Sequence, residues 1–388
     1  MAKPSSSSAK IIPTEGLTFD DLLLLPGFTN FKRREVDLTT KLHPTIVLKL
    51  PILASPMDTV TEEAMAIAIA EAGGMGIIHR NLAPEKQAAI VKKVKSTKAS
   101  DSTIAAVDKA GHLLCGAAVG AGEDMEERVK LLMKAGTDII CVDSGHGHSQ
   151  FIIDIIHFIK KQSKSQVVMA GNVATFEGAA ALIKAGADIL RVGVGPGSIC
   201  TTRVVTGMGV PQITAIMEAV RATKGTKGTK GTKVTVVADG GIRQMGDMAK
   251  ALGCGAHAVM LGSMLAGHTE APGELIAVDG TTYKRYQGMG SVSAMKRGGA
   301  ERYGQSKKTE EKKLIAEGVE GLVPAKGSVN DFLYQASGAL RSAFYYIGGK
   351  NFAEFHKHAR FIRITNAGLK ESHPHTINIT SAGSSYMG

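Results

Sequence analysis

Lys184-Ala185-Gly186-Ala187-Asp188-Ile189-Leu190-Arg191-Val192-Gly193-Val194-Gly195-Pro196-Gly197-Ser198-Ile199-Cys200-Thr201-Thr202-Arg203 is the stretch on which the fold turns. Its opening Ala-Gly is a helix C-terminal signal. Residues 188–192 read as a buried strand. The glycines that follow let the backbone turn sharply and approach a ligand closely. They also leave N–H and C=O groups free to face an anion or a cation. The phrase Lys-Ala-Gly-Thr/Ala-Asp occurs at 134–138 as well as at 184–188, which suggests a repeated helix-to-strand connection. Cys200 lies in the loop beside hydroxyls and an arginine. That setting suits a nucleophile, and it equally suits a small residue packed in a turn.

Working outward, short apolar runs predict strands over 52–54, 76–78, 116–119, 139–142, 167–170, 189–192, 234–238 and 258–261. Helical patterns lie between them at 62–72, 85–94, 123–135, 150–161, 176–185, 211–222 and 245–252, several ending in Ala-Gly or Leu-Gly. Eight strands alternating with helices predict an α/β fold, a (β/α)8 barrel. A doubly wound open sheet is the alternative, weakened because no GxGxxG opens a helix after the first strand.

A barrel places its chemistry just beyond its strands. There the sequence puts Ser55, Pro56, Met57 and Asp58, then His79 and Arg80, then Asp143, Ser144, His146 and His148. Asn172, the Cys200 loop, Asp239-Gly240-Gly241 and Gly262-Ser263 follow. The last two turns match the phosphate site that barrels build from loops seven and eight. After the eighth strand, 283–295 is glycine-punctuated and aromatic, 297–313 is charged and reads as a mobile flap, and 332–345 looks helical. The domain reading is a disordered Ser-rich leader over 1–15 and a single catalytic domain over 16–388. Within it, 96–111 is a short connector and about 283–330 the flap region.

The 388 residues carry no Trp and 5% aromatics, so the core is built from aliphatic side chains. Four cysteines (Cys115, Cys141, Cys200, Cys254) show no CxxC and no close Cys/His pairing. This predicts reduced thiols in a cytoplasmic protein, not a disulfide framework or a zinc site. No segment reaches transmembrane length, so no membrane partner is expected. The net charge of +11 favours phosphorylated small molecules or polyanions. The Lys-Gly-Thr repeat over 224–233 reads as a solvated loop in preference to a nucleic-acid site.

Taken together, several motifs resemble the inosine-5′-monophosphate (IMP) dehydrogenase family, with a bacterial-type cysteine loop. They are Leu17-Thr18-Phe19-Asp20-Asp21, Ser55-Pro56-Met57-Asp58-Thr59-Val60, Asp143-Ser144-Gly145-His146-Gly147-His148, Ala170-Gly171-Asn172-Val173 and the Gly195–Arg203 loop. They continue with Ala238-Asp239-Gly240-Gly241-Ile242, Tyr286-Gln287-Gly288-Met289-Gly290-Ser291, Arg302-Tyr303 and Glu371-Ser372-His373-Pro374-His375. The sister enzyme, guanosine monophosphate (GMP) reductase, shares the barrel and the cysteine loop, and His268 looks more like the reductase. The tail, with Arg302-Tyr303 and Glu317-Gly318-Val319-Glu320-Gly321, is similar to the dehydrogenase.

The resemblance implies oxidation of IMP to XMP with reduction of NAD. Cys200 would attack C2 of the purine, and the adduct would then be hydrolysed under the closed flap. Arg302 resembles the family's unusual base, with Thr202 holding the water and Tyr303 orienting Arg302. Glu317 would accept the purine N1–H or relay a proton. The IMP phosphate would sit on the N–H groups of Gly241, Gly262 and Ser263, with hydroxyls from Ser198 and Tyr286. Asp239 would hold the ribose and Arg191 would contact the nucleotide. Gly288, Met289 and Gly290 would face the base, and Ser55, Met57 and Gly240 complete the substrate set. Asp143, Ser144 and Asn172 match the dinucleotide contacts. A potassium ion is implied on the carbonyls of Gly195, Gly197 and Cys200, with Glu371, Ser372 and His373 from a neighbouring subunit of a homotetramer.

The chain departs from the family in three places. The connector is too short for the usual regulatory pair of cystathionine-β-synthase-type modules. Gly304 stands where an aromatic usually follows Arg-Tyr, and Tyr345-Tyr346 replaces a small-residue context.

Overall fold

The computed structural model describes residues 11–226, 233–306, 308–383 and 385–386. The first ten residues of the expected leader and most of the Lys-Gly-Thr repeat lie outside them. Eight parallel strands close into a barrel: β1 Ile52–Ala54, β2 Met75–Ile78, β3 Cys115–Val119, β4 Ile139–Asp143, β5 Val167–Val173, β6 Ile189–Val192, β7 Thr235–Asp239 and β8 Ala258–Leu261. Closure is made by β8 against β1, with Val259 opposite Ile52 and Leu261 opposite Ala54. The helices of the outer ring are α1 Glu63–Glu71, α2 Pro84–Ser96, α3 Met125–Lys134, α4 Gln150–Gln162, α5 Phe176–Ala185, α6 Gln212–Gly225, α7 Met245–Gly253 and α8 Val329–Ile347. The predicted (β/α)8 barrel is therefore the observed fold, with every predicted strand and helix present.

Local chemistry explains the ring. Thr175 caps α5 by accepting from the Gly178 N–H, and Gly186 ends it at φ 104. Residues alternate along each strand between two apolar layers. One layer fills the barrel interior with Leu53, Met75, Ile77, Ile139, Met169, Ile189, Val237 and Met260. The other packs the helices onto the barrel wall.

Several elements were missed in the sequence. A hairpin, Thr40–His43 with Ile46–Leu48, adds Leu42, Ile46 and Leu48 to the interior layer at the end where the strands begin. Its strands are too short to show a period. Beyond β8, Leu275–Val278, Thr281–Gln287 and Glu320–Pro324 form an antiparallel three-stranded sheet. The expected flap region is thus divided: its two ends are strands, and the segment between them makes an excursion from the sheet. Strand ends also run past their predicted limits, so that Asp143, Asn172 and Asp239 sit on strands and not on loops. Residues 97–114 cross from α2 to β3 as a short loop pinned by the Lys98–His112 and Val107–Leu113 bridges.

Candidate active site

A cavity of about 130 Å³ opens at the C-terminal ends of the strands. Its wall includes Ser55, Met57, Asn172, Arg191, Gly195, Gly197, Ser198, Cys200, Asp239, Gly240, Gly241, Gly262, Ser263, Tyr286, Gly288, Met289, Arg302, Tyr303 and Glu317. Most of the residues expected at the site therefore meet in one place, although they are drawn from six strands and the flap.

The cysteine loop is held from both sides. Arg203 Nε donates to the Val194 carbonyl at 3.2 Å and its Nη2 to that of Val210 at 2.6 Å, fastening the loop to its own stem. Across the cavity, Thr201 N donates to Glu317 O and Val319 N to Ile199 O, both at 3.0 Å. Gly288 N in turn donates to Val319 O at 2.9 Å. Cys200, Glu317 and the Gly288–Gly290 backbone are thereby locked into one unit. The Cys200 thiol donates to Thr202 Oγ1 at 3.2 Å. Cys200 is partly exposed to the cavity. Burial pushes the other three thiols up, that of Cys254 to about 12, and holds them protonated.

At loops seven and eight the backbone N–H groups of Gly241, Gly262 and Ser263 donate to no acceptor among the described residues. Gly240 and Gly241 have φ 89 and 79, in the left-handed region, which aims this turn at the cavity. A cluster of unengaged N–H groups at a strand-to-helix turn is a pocket for an anion. Tyr286 stands over it with its hydroxyl 4.0 Å from Met57 Sδ, and burial pushes its phenol up, so it stays a neutral donor.

Asp239 accepts from Asn172 Nδ2 at 2.8 Å. Asn172 reaches it because the β5–β6 register slips between Gly171 and Val173. Arg191, 3% exposed, donates to Asp143, which is 1% exposed. Arg191 Nε lies 2.9 Å from Asp239 Oδ2, a charge contact with the N–H directed off the oxygen.

The segment expected as a flap carries a second guanidinium on the same carboxylate: Arg302 is ion-paired with Asp143. Gly145 N donates to Arg302 O at 2.9 Å, and the Tyr303 ring packs on Gly290. Burial pushes the Tyr303 phenol up, with Arg302 opposing. Gly304 ends the flap's Gly299–Tyr303 turn at φ 68, a conformation that suits glycine better than the expected aromatic.

Seven expected residues lie elsewhere. Thr202 touches the thiol from outside the wall. Gly290 backs Tyr303. Asp143 lies behind Arg191, and Ser144 bonds locally to His146. Glu371, Ser372 and His373 are on and just after the outlying helix Asn366–Glu371, away from the cavity of this chain. His268 is also outside, its ring bonded to Gly327 O at 3.0 Å and tilted on Phe332. His146 and His148 are exposed neighbours with no cavity contact. Three supports stand behind the wall; sequence reasoning placed Asp58 and Arg80 at the strand ends without their partners and missed Gln212. Gln212 donates to Val192 O and Asp239 O. Asp58 accepts from Gln287 and Asn81. Arg80 is ion-paired to Glu301. Buried polar side chains beside a loop were the available signal.

Residues 16–375 match the family model for the IMP dehydrogenase / GMP reductase domain. Among curated relatives, an inosine-5′-monophosphate dehydrogenase of Cryptosporidium parvum is 44% identical, covering 96% of this chain and 98% of that protein. That of Borreliella burgdorferi is 43% identical over 94% and 98%. That of Rhizobium tropici is 38% identical over 96% and 97%. The chain belongs to the IMP dehydrogenase / GMP reductase family, a family of oxidoreductases built on this barrel. The Rhizobium alignment runs over 489 positions, about a hundred more than the 388 residues here, whereas the Cryptosporidium alignment runs over 401.

Proposed function

We propose that this chain oxidises IMP to XMP with NAD as the hydride acceptor, in guanine nucleotide biosynthesis. The observation that carries the reading is a single cavity. It joins a reachable thiol to an anion pocket of unengaged N–H groups, with Asp239 between them and a docked flap on the far side.

In this reading the nucleotide phosphate sits on Gly241, Gly262 and Ser263, with Ser198 and Tyr286 adding hydroxyls. Asp239 accepts from the ribose hydroxyls, with Arg191 beside it and Ser55, Met57 and Gly240 completing the wall. The Gly288–Gly290 backbone and Glu317 hold the base over Cys200. The Cys200 sulfur, losing its proton, bonds to C2 of the purine. Asp143, Ser144 and Asn172 would hold a nicotinamide dinucleotide, which would supply the acceptor for the C2 hydrogen and its electron pair. Water then adds to C2, the C2–S bond breaks, and the thiol regains a proton. Thr202 and Arg302 hold that water, with Tyr303 orienting Arg302. In the docked position Arg302 is held by its ion pair with Asp143.

A potassium ion fits the cysteine loop in part. The carbonyls of Gly195 and Cys200 accept no hydrogen bond among the described residues, and that of Gly197 accepts one from Cys200 N. Carbonyl oxygens suit a hard monovalent cation. The remaining ligands, Glu371, Ser372 and His373, would come from the next subunit of a homotetramer in the cytoplasm. No helix of the described residues is long and apolar enough to cross a membrane.

The test is NADH absorbance after mixing protein, IMP, NAD and potassium, beside Cys200→Ala. Signal that disappears in the variant supports the reading. Consumption of NADPH with GMP, and none of NAD with IMP, would move the chain to the reductase.

A further inference from the structure

Arg80 lies just beyond β2, beneath the flap, and is 7% exposed. Its Nη1 is 3.1 Å from Glu301 Oε2 and 3.5 Å from the Gly298 carbonyl. Both acceptors belong to the flap. Its Nε and Nη2 have no hydrogen-bond partner among the described residues. A guanidinium this buried depends chiefly on Glu301, its one hydrogen-bonded carboxylate, with Asp124 a weaker neighbour, because an uncompensated charge away from water is costly. The loop after β3 leaves the pair its space. A Cβ on Gly120 would fall 2.5 Å from Arg80 Cζ, and one on Gly122 would fall 2.2 Å from Glu301 Oε2. Two segments that never touch the cavity are therefore shaped around one contact, and Glu301 precedes Arg302 in the chain.

We propose that Arg80 and Glu301 form the latch that holds the flap closed, which makes Arg80 a positioning residue for the hydrolytic half of the reaction. The inference rests on the proposed function for its kinetic consequence. With the flap docked, Arg302 occupies Asp143, a residue assigned above to the dinucleotide. Weakening the latch therefore lowers the closed fraction, slows hydrolysis and frees the dinucleotide site. Chemistry at Cys200 is untouched.

The experiment compares wild type with Glu301→Gln, Arg80→Met, Gly122→Ala and the charge swap Arg80→Glu/Glu301→Arg. Rapid mixing with IMP and NAD separates the first burst of NADH from steady turnover. Glu301→Gln, Arg80→Met and Gly122→Ala are expected to keep the burst rate within twofold. Steady turnover should fall tenfold or more, and KM for NAD should fall with it. The swap should recover at least a third of the lost turnover. Gly122→Ala changes no charge and lies outside the flap, so it separates the latch from local damage at Arg302. Unchanged turnover in all three single variants, or equal loss of burst and turnover with KM unmoved, overturns the latch. Should wild type make no NADH, the proposed function fails and the latch is still decided by hydrogen exchange. Faster exchange over 298–306 in Glu301→Gln and Gly122→Ala supports it, and unchanged exchange refutes it.

Discussion

Replacing His257 with asparagine should flatten the acid limb of the stability curve. His257 immediately precedes β8, mostly buried, its ring 5.9 Å from that of His356 on the helix Phe352–His358. Its Nδ1 accepts from the Val236 N–H at 3.2 Å, which requires the neutral ring. Burial, then the neighbouring His356 and Lys233, push it down from 6.5 to about 3. His356 is pushed down too, chiefly by burial. The folded state thus refuses a proton that the unfolded chain accepts below about pH 6.5. Stability is full above that pH and is lost progressively as pH falls toward 3. At about 1.4 kcal/mol per unit, His257 alone removes roughly 2 kcal/mol by pH 5. Asparagine keeps an acceptor for Val236 and does not titrate. Urea unfolding from pH 7.5 to 5.0 should therefore show the gap between variant and wild type moving by about 2 kcal/mol in the variant's favour. Parallel curves across that range would refute the argument.

Two further predictions concern the platform. Lys284 Nζ donates to the carbonyls of His268, Thr269 and Ala271 at 2.9, 3.1 and 2.6 Å, gathering the turn that follows Gly262-Ser263. Lys284→Met should cost about 3 kcal/mol, since charge-assisted bonds to buried carbonyls are lost without replacement, and a lowered urea midpoint would show it. Gly241→Ala forces a side chain into the left-handed region, with its Cβ 3.1 Å from Pro196. A strain of about 1.4 kcal/mol should weaken IMP binding roughly tenfold by calorimetry while the protein remains folded.

The barrel was legible because the β/α units carry their own punctuation: an apolar run, a polar turn, and in several of them a helix closed by glycine. The candidate site was legible for a related reason. Closing the barrel brings every strand end to one rim, so Ser55, Asp239 and Ser263 converge although about two hundred residues separate the first from the last. What escaped depends on packing between distant segments. Nothing near Arg80 in the sequence points to Glu301, and nothing near Gly122 requires it to be small. The Thr40–His43 hairpin was hidden because a barrel plug needs only three apolar side chains. The strand Thr281–Gln287 was read as flap because it runs into the glycine-punctuated segment 288–290, and its pairing with Glu320–Pro324 is long-range.

Asp143 is where the two halves of the proposed reaction meet. Its carboxylate is nearly sealed, yet it carries two guanidinium partners, one fixed and one delivered by the flap. Arg191 stays with the barrel whatever the flap does, so Asp143 is never left as an unpaired buried charge. Withdrawal of Arg302 is therefore less costly than breaking a lone buried pair. That residual cost is what a dinucleotide hydroxyl can offset by donating to the freed oxygen. Under this reading the same oxygen cannot serve the flap and the dinucleotide together. Hydride transfer and hydrolysis are then separated in time by one carboxylate, and the stability of the closed flap sets how the enzyme divides its cycle between them.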